Sequence, residues 1–373
     1  MTVQVYLDEA ATAPVRREVL EAMWPHLTGG FANPASSHEL GQSAARALEE
    51  ARARVAEHLG ARPAEILFTS GGTESDNAAV KGIALASPRG RHVLVSEIEH
   101  PAVLESAGWL ERLGFEVERI PVDSEGIVAA DALAARLRPD TTLVSVQHAN
   151  NEVGTVQDIA VLSDLAAEYD VPFHTDAVQA AGTLDLDVTR LGVRALSLAG
   201  HKLGAPKGIG VLYLRRRTPF EPLIHGGGQQ RDRRSGTENV AAAVGMATAL
   251  DLAASDDIET LVALRDRFIG EVLAQVPESR LTGHATRRLA GNASFVFPGR
   301  SGESILLDLE RRGVYCSSGS ACAAGSDEPS HVLTAMGYDA ATAQTAVRFT
   351  FGARTAPAEV MSTARELASV LRR

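Results

Sequence analysis

Only three lysines stand among the 36 basic residues: Lys81, Lys202 and Lys207. Either the chain has drifted toward arginine, or a surviving lysine marks a place where an amine is needed and a guanidinium will not serve. Two of the three fall in G-H-K-L-G-A-P-K-G-I-G (200–210), beside His201 and directly after the apolar run ALSLA (195–199). An amine at a strand end among glycines can form a Schiff base with a carbonyl cofactor. The run PFHTD (172–176) ends in Asp176, with Gln179 three residues on. A buried carboxylate is unfavourable unless a cation faces it, and a protonated pyridine nitrogen is such a cation. The run EILF (65–68) leads into T-S-G-G-T-E-S-D-N, where Gly72 and Thr73 open a helix. That is an anion cup or an ordinary capped helix start. The spacing fits neither a P-loop nor a dinucleotide fingerprint. Amine, carboxylate and cup explain one another if the ligand is pyridoxal phosphate.

Other strand ends carry further candidates. His100 opens a helix just before Pro101, a position that suits a cap as well as a ligand contact. The stretch Q-H-A-N-N-E-V-G (147–154) offers Asn151 and its neighbours to a ligand, or forms a plain turn. H-G-G-G-Q-Q-R-D-R-R-S-G-T-E-N (225–239) is a solvated surface loop or a phosphate loop supplied to a neighbouring subunit. The segment S-S-G-S-A-C-A-A-G-S-D-E-P (317–329) is small, polar and punctuated by Gly and Pro, so a mobile loop carrying Cys322 is expected.

These residues need a frame that brings strand ends together. Seven short apolar runs qualify as strands: 65–68, 92–96, 115–120, 142–146, 172–176, 195–199 and 210–214. Helix-period stretches separate most of them, as at 73–86, 101–113, 129–137 and 158–169. Such alternation predicts an α/β domain with a mostly parallel sheet and its site at the strands' carboxyl ends. After about residue 237 come helices near 238–254 and 257–275, short strands near 291–297, 313–316 and 346–350, a helix at 302–311 and a terminal helix from about 357. This predicts a smaller α+β domain. We expect the large domain over 13–255, and the small one from 1–12 and 256–373.

The 373 residues, 45% hydrophobic and 22% charged, are enough for a globular core. Lys and Arg number 36 against 47 Asp and Glu, a net charge of −11 that disfavours nucleic acid and anionic membranes as general partners. No run approaches the ~20 apolar residues of a membrane span. The opening MTVQVYLDEA lacks a basic leader region, so a cytoplasmic protein is expected. Two cysteines make no disulfide framework, and no Cys/His spacing matches a structural zinc site.

Ten motifs run in order along nearly the whole chain: YLDEAAT (6–12), FANPASSHELG (31–41), FTSGGTESDN (68–77), EHPAVL (99–104), ANNEVGTVQDI (149–159), HTDAVQAAG (174–182), SLAGHKLGAPKGIG (197–210), GGGQQRDRRSGTEN (226–239), SSGSAC (317–322) and VRFTFG (347–352). With them the chain resembles the cysteine desulfurases, pyridoxal-phosphate enzymes of the aminotransferase class-V family with fold type I. SSGSAC is similar to the branch with the longer cysteine loop, the nitrogenase and housekeeping iron–sulfur assembly type. The resemblance implies Lys202 as the Schiff-base lysine, Asp176 at the pyridine nitrogen, Gln179 at the ring hydroxyl and His100 stacked on the ring. It implies Gly72, Thr73 and His201 as phosphate ligands, joined by Thr237 from the other subunit of a homodimer, and Asn151 as another cofactor contact. Asn33 and Arg348 would grip the α-carboxylate of L-cysteine, a role that suits a guanidinium fork. Cys322 would be the nucleophile that takes the sulfur as a persulfide, passes it to an acceptor protein and is able to ligate a cluster in transit.

Ala199 departs from the resemblance: three residues before Lys202 the family often has a serine that bonds the phosphate. One hydroxyl donor, ~1 kcal/mol net and ~2–3 to a charged group, is absent. Cys316 sits six residues before Cys322, after an apolar G-V-Y run, as a half-buried strand end or one half of a regulatory disulfide. Rival functions share the lysine, aspartate and cup but not the thiol: a transaminase, a selenocysteine lyase or a β-eliminating lyase. A relay subunit that works only with a partner, and a cofactor-binding regulator, are the remaining alternatives.

Overall fold

The computed structural model describes residues 4–87, 89–319 and 328–372. The seven apolar runs form one sheet, in the order Ile66–Thr69, Gly210–Leu214, Ala195–Ala199, Phe173–Asp176, Thr141–Ser145, His92–Ser96, Glu116–Ile120. Val, Leu and Ile dominate these strands, and all but the edge strand Glu116–Ile120 are buried along their whole length, as helices on both faces require. Only Gly210–Leu214 runs antiparallel to its neighbours. The other six therefore point the same way, and their carboxyl ends share one rim.

Gly210 shows how tightly that rim is built. A Cβ on Gly210 would fall 2.5 Å from the Gly71 carbonyl carbon. Its lack of a side chain lets the antiparallel strand press against the turn that opens the helix Gly72–Ala86.

Two long helices, Arg17–Thr28 and Glu39–His58, are absent from the strand–helix alternation of the sequence. They pack on Val240–Ala253, whose all-round apolar surface is buried by them and by the sheet. Val19, Met23, Leu48 and Val55 join Ala243, Met246 and Leu250 in the largest core cluster, which reaches from Val19 to Ala253.

A second cluster is centred on Phe268, Phe295 and Phe349, with Phe268 edge-on to Phe349 at 5.3 Å between ring centroids. It gathers Leu261 to Leu371 and, from the other end of the chain, Val5 and Leu7. Val5–Tyr6 pairs in parallel with Val314–Tyr315, which explains why the amino terminus joins this core. A three-stranded antiparallel sheet sets Asn292–Val296 between Arg280–Leu281 and Val347–Thr350. No described helix is long and apolar enough to cross a membrane.

Candidate active site

A cavity of about 430 Å³ opens over the strand rim, within the ~300–1,000 Å³ common for small-molecule sites. Each side chain arrives from a different strand end. Gly72 and Thr73 follow the strand Ile66–Thr69, and His100 follows His92–Ser96. Gln147, Ala149 and Asn151 come after Thr141–Ser145. Asp176, Val178 and Gln179 close Phe173–Asp176, and Ala199, His201 and Lys202 close Ala195–Ala199. Arg348 enters from the small sheet, and Ala10 and Ala11 from the amino-terminal segment.

The first turn of the helix Gly72–Ala86 faces the cavity, with a favourable dipole and small residues. A Cβ on Gly72 would meet Val178 Cγ2 at 2.8 Å, so glycine is needed for the turn to lie this close to the Asp176 strand end. Glu74, one residue on, is not turned to a ligand. Its carboxylate accepts from the Ser70 amide at 2.8 Å and from Arg234 at 2.8 and 3.2 Å. In the loop 225–239, Arg234 is thus committed to Glu74 and Arg231 to Glu49.

Asp176 accepts from the Val178 amide at 2.9 Å. Burial pushes its carboxyl up from the ordinary carboxylate range, against the pull of His100 and Lys202. Burial likewise pushes His100 down, while Asp176 pulls it back up. His100 Nδ1 accepts from the Ala102 amide at 3.1 Å, which caps its helix and fixes the ring. Lys202 Nζ donates to the Ala10 carbonyl and, at 2.8 Å, to that of Ala11. Gln179 Nε2 donates to the Ala10 carbonyl at 3.0 Å. His201 faces Thr12 Oγ1 at 3.2 Å; burial first, then Lys202 and Lys207, lower it to about 4, so the ring is neutral at pH 7.

Arg348 is 1% exposed. Its Nη2 donates to Asp8 Oδ1 at 2.7 Å, and Nη1 to the carbonyls of Asn151 at 2.9 Å and Gly319 at 3.3 Å. Its Nε is buried and has no partner among the described residues. Arg348 lines the cavity, and a buried guanidinium there suits an incoming carboxylate.

Four expectations fare differently from the rest. Asn33 does not line the cavity. It is exposed, its Oδ1 accepts from the Ala35 amide at 2.9 Å, and its carbonyl accepts from Ser36, so the local turn uses it. Thr237 also stands outside the cavity, exposed, over a separate hollow with Leu48, Phe68 and Arg234. Cys322 lies outside the described residues, so the alternative of a disulfide with Cys316 has no geometry to report. Cys316 is half-buried against the second core, and burial pushes its thiol up, away from the thiolate. In 147–154, Asn151 reaches the cavity while Asn150 does not: its Oδ1 accepts from the amides of Glu152 and Val153 to form the turn.

The geometry adds Asp8, Asp76 and Gln147. Asp76 lines the cavity, and its Oδ1 is buried with no hydrogen-bond partner among the described residues. Asp8 lies in YLDEAAT, and pairing with a buried arginine was not readable from its type.

The chain matches the aminotransferase class-V family over residues 5–362. The chain belongs to the aminotransferase class-V family. Within it, the chain is 50% identical over 353 residues to the cysteine desulfurase IscS of Dictyoglomus turgidum, covering 94% of this chain and 90% of that protein. A solved NifS-like protein superposes with a TM-score of 0.92 at 34% identity, covering 99% of this chain and all of that one. A structure described as SspA in complex with cysteine gives 0.84 at 38% identity over 94% of this chain and 99% of that one. This class-V chain is a pyridoxal-phosphate-dependent cysteine desulfurase of the NifS/IscS type.

The cavity fits the cofactor on its own chemistry. It holds an amine, a buried carboxyl and a helix start bare enough for a phosphate. Ala199, 1% exposed on the same rim, offers no hydroxyl to the cavity, which Thr73 and His201 also line.

Proposed function

We propose that this desulfurase takes sulfur from free L-cysteine in the rim cavity, with Cys322 as the thiol that receives it. The convergence of Lys202, Asp176, the Gly72–Thr73 helix start and Arg348 on one cavity carries the reading. A relative solved with cysteine, 38% identical, supports the substrate.

Gly72, Thr73 and His201 would hold the cofactor phosphate, Asp176 the ring nitrogen and Gln179 the ring hydroxyl, with His100 and Asn151 as further contacts to the cofactor. Pyridoxal phosphate, when bound, supplies an electron sink next to the substrate Cα. Arg348 binds the α-carboxylate, while Asp8 and two backbone carbonyls keep its guanidinium from turning. Lys202 Nζ takes the proton from Cα and later returns one. Its hold on the Ala10 and Ala11 carbonyls keeps the amine at the rim. The Cys322 thiolate attacks the substrate sulfur. A sulfur–sulfur bond forms and the Cβ–S bond breaks. Its electron pair goes to the carbon side, which takes up a proton and becomes the methyl of alanine. His100 exchanges a proton at the departing sulfur or at the imine nitrogen. The persulfide then passes its outer sulfur to a protein acceptor.

The working unit is a homodimer. Thr237 stands exposed outside its own chain's cavity, where it is available to a partner's phosphate site. Trp24, Leu27, Phe31 and Leu40 are more than half exposed on the amino-terminal helices and the loop between them, an apolar face that a second copy would cover.

The test is alanine formation from L-cysteine by the native chain and by Cys322→Ala, with and without a thiol reductant. We expect alanine from the native chain alone, increased by reductant. Alanine from both would remove Cys322 from the reaction and favour a lyase-like route.

A further inference from the structure

The amino ends of the strands, opposite the catalytic rim, hold a cluster of side chains that the reaction does not use. His92 opens the strand His92–Ser96, and Glu116 and Glu118 lie on the adjacent edge strand Glu116–Ile120. The two strands are parallel, with His92 level with Glu116. Glu116 and Glu118 are two residues apart, so both project to one face of the sheet. One ligand atom from each of the three side chains lies within 4.8 Å of the other two.

His92 is 0% exposed, and its Nε2 is buried with no hydrogen-bond partner among the described residues. A ring nitrogen left in that state is unfavourable until a ligand meets it. The ring is held from behind. Nδ1 stands 2.9 Å from Thr141 Oγ1, and the pairing with Thr141–Ser145 skips a residue at that point, a bulge that sets Thr141 opposite His92. Burial first, then the Arg138 charge, holds the imidazole below its ordinary range, so its nitrogen is free of the proton that would bar a metal. Nε2 lies 3.4 Å from Glu118 Oε2. Two ligands on one tetrahedral zinc, each bonded at ~2.0–2.1 Å, stand ~3.4 Å apart.

The carboxylates are braced in place. Arg136 Nε meets Glu118 Oε1 at 3.1 Å, and it is the other oxygen, Oε2, that faces His92. Arg138 donates one bond to each Glu116 oxygen, both at 2.9 Å. A carboxylate oxygen has a second lone pair to give, and outer contacts of this kind orient metal-bound carboxylates as Thr141 orients the imidazole. We propose that His92, Glu116 and Glu118 bind one divalent transition-metal ion of the zinc class. One imidazole nitrogen and two carboxylate oxygens suit that class, with water in the fourth position. The ion clips the partly exposed edge strand to its buried neighbour, at the end of the sheet away from the substrate.

The test uses metal-free holoenzyme carrying Cys322→Ala, so that this thiol supplies no zinc ligand, and Zn²⁺ alone as the probe. This parent is compared with the same protein carrying His92→Gln or Glu118→Gln in addition. Two readouts are taken: the Zn²⁺ dissociation constant by competition with a chromophoric chelator, and amide hydrogen exchange in peptides covering Glu116–Ile120 with and without saturating Zn²⁺. Loss of an outer contact alone weakens metal binding ~10- to 100-fold, so loss of a ligand in either variant should weaken it at least about tenfold. Saturating Zn²⁺ should slow exchange in the edge strand of the parent at least about tenfold and leave both variants unchanged. The Glu118 side chain is 38% exposed, so Glu118→Gln should fold and decides the question if His92→Gln does not. A parent that binds no Zn²⁺ overturns the proposal. So does Zn²⁺ binding of equal strength in the parent and Glu118→Gln, which marks adventitious binding elsewhere, or edge-strand exchange in the parent that Zn²⁺ does not slow.

Discussion

Replacing Glu99 by Gln should change how stability depends on pH while leaving the site intact. Glu99 is fully buried just before His100. Its Oε1 accepts from Ser96 Oγ and from the Gln147 amide, both at 2.6 Å, so it fastens one strand end to the next. Oε2 has no partner among the described residues. Burial pushes the carboxyl up from 4.5 to about 8. Between those values the unfolded chain has released this proton and the folded chain has kept it. The group's contribution is therefore complete below about pH 4.5 and is lost as pH rises toward 8. At about 1.4 kcal/mol per pH unit, the loss reaches roughly 3 kcal/mol by pH 7 and roughly 5 kcal/mol over the whole window. Gln keeps the Oε1 acceptor and cannot ionise. Urea denaturation of holoenzyme should thus show Glu99→Gln gaining on the native chain by about 1.4 kcal/mol per unit between pH 5 and pH 8, then levelling. Parallel pH profiles for the two proteins would refute the reasoning. They would mean that Glu99 is ionised in the fold and that its unpartnered oxygen finds a cation.

Two further outcomes test the site and the assembly. Arg348→Lys removes the planar fork, so KM for L-cysteine should rise roughly 10- to 100-fold, the equivalent of about 1.5–3 kcal/mol for a charge-assisted hydrogen bond; steady-state kinetics with an unchanged KM would exclude Arg348 from carboxylate binding. Trp24→Glu places a charge on the exposed apolar face, where Trp24 is 66% exposed. Sedimentation velocity should show a shift toward monomer and absorbance a weaker hold on the cofactor, and an unaltered dimer would move the interface elsewhere.

The strand-end residues were legible because the sheet obeys a simple rule. Apolar runs of four to five residues alternate with helix-period stretches, so the residues just after each run had to share a rim. Lys202, Asp176, Gln179, His100, Asn151 and the Gly72–Thr73 turn all follow from it, with strand bounds shifted by a residue at most. Arg348 comes from the second sheet, and only the resemblance placed it. The helices Arg17–Thr28 and Glu39–His58 are amphipathic in sequence but lie before the first strand of the sheet, outside the strand–helix alternation that marks the rim.

Acidic residues expose the deeper limit. Asp8, Asp76, Glu99 and Glu152 are spread across four segments, and each looks in sequence like any solvated charge. What sets them apart is tertiary: a guanidinium entering from Val347–Thr350, a hydroxyl from Ser330, a strand end from Thr141–Ser145. Residue type and spacing predict which groups touch a ligand, because a ligand demands a particular chemistry at a particular rim. The groups that hold those in place answer to no such demand. Their partners are chosen by packing, so they emerge only when the second sheet is laid over the first and Arg348 is found wedged between Asp8 and the Asn151 turn. Asn33 and Thr237 mark the opposite case. Their roles were inferred from resemblance, one chain alone leaves both outside its cavity, and a second chain is what would give Thr237 a site to serve.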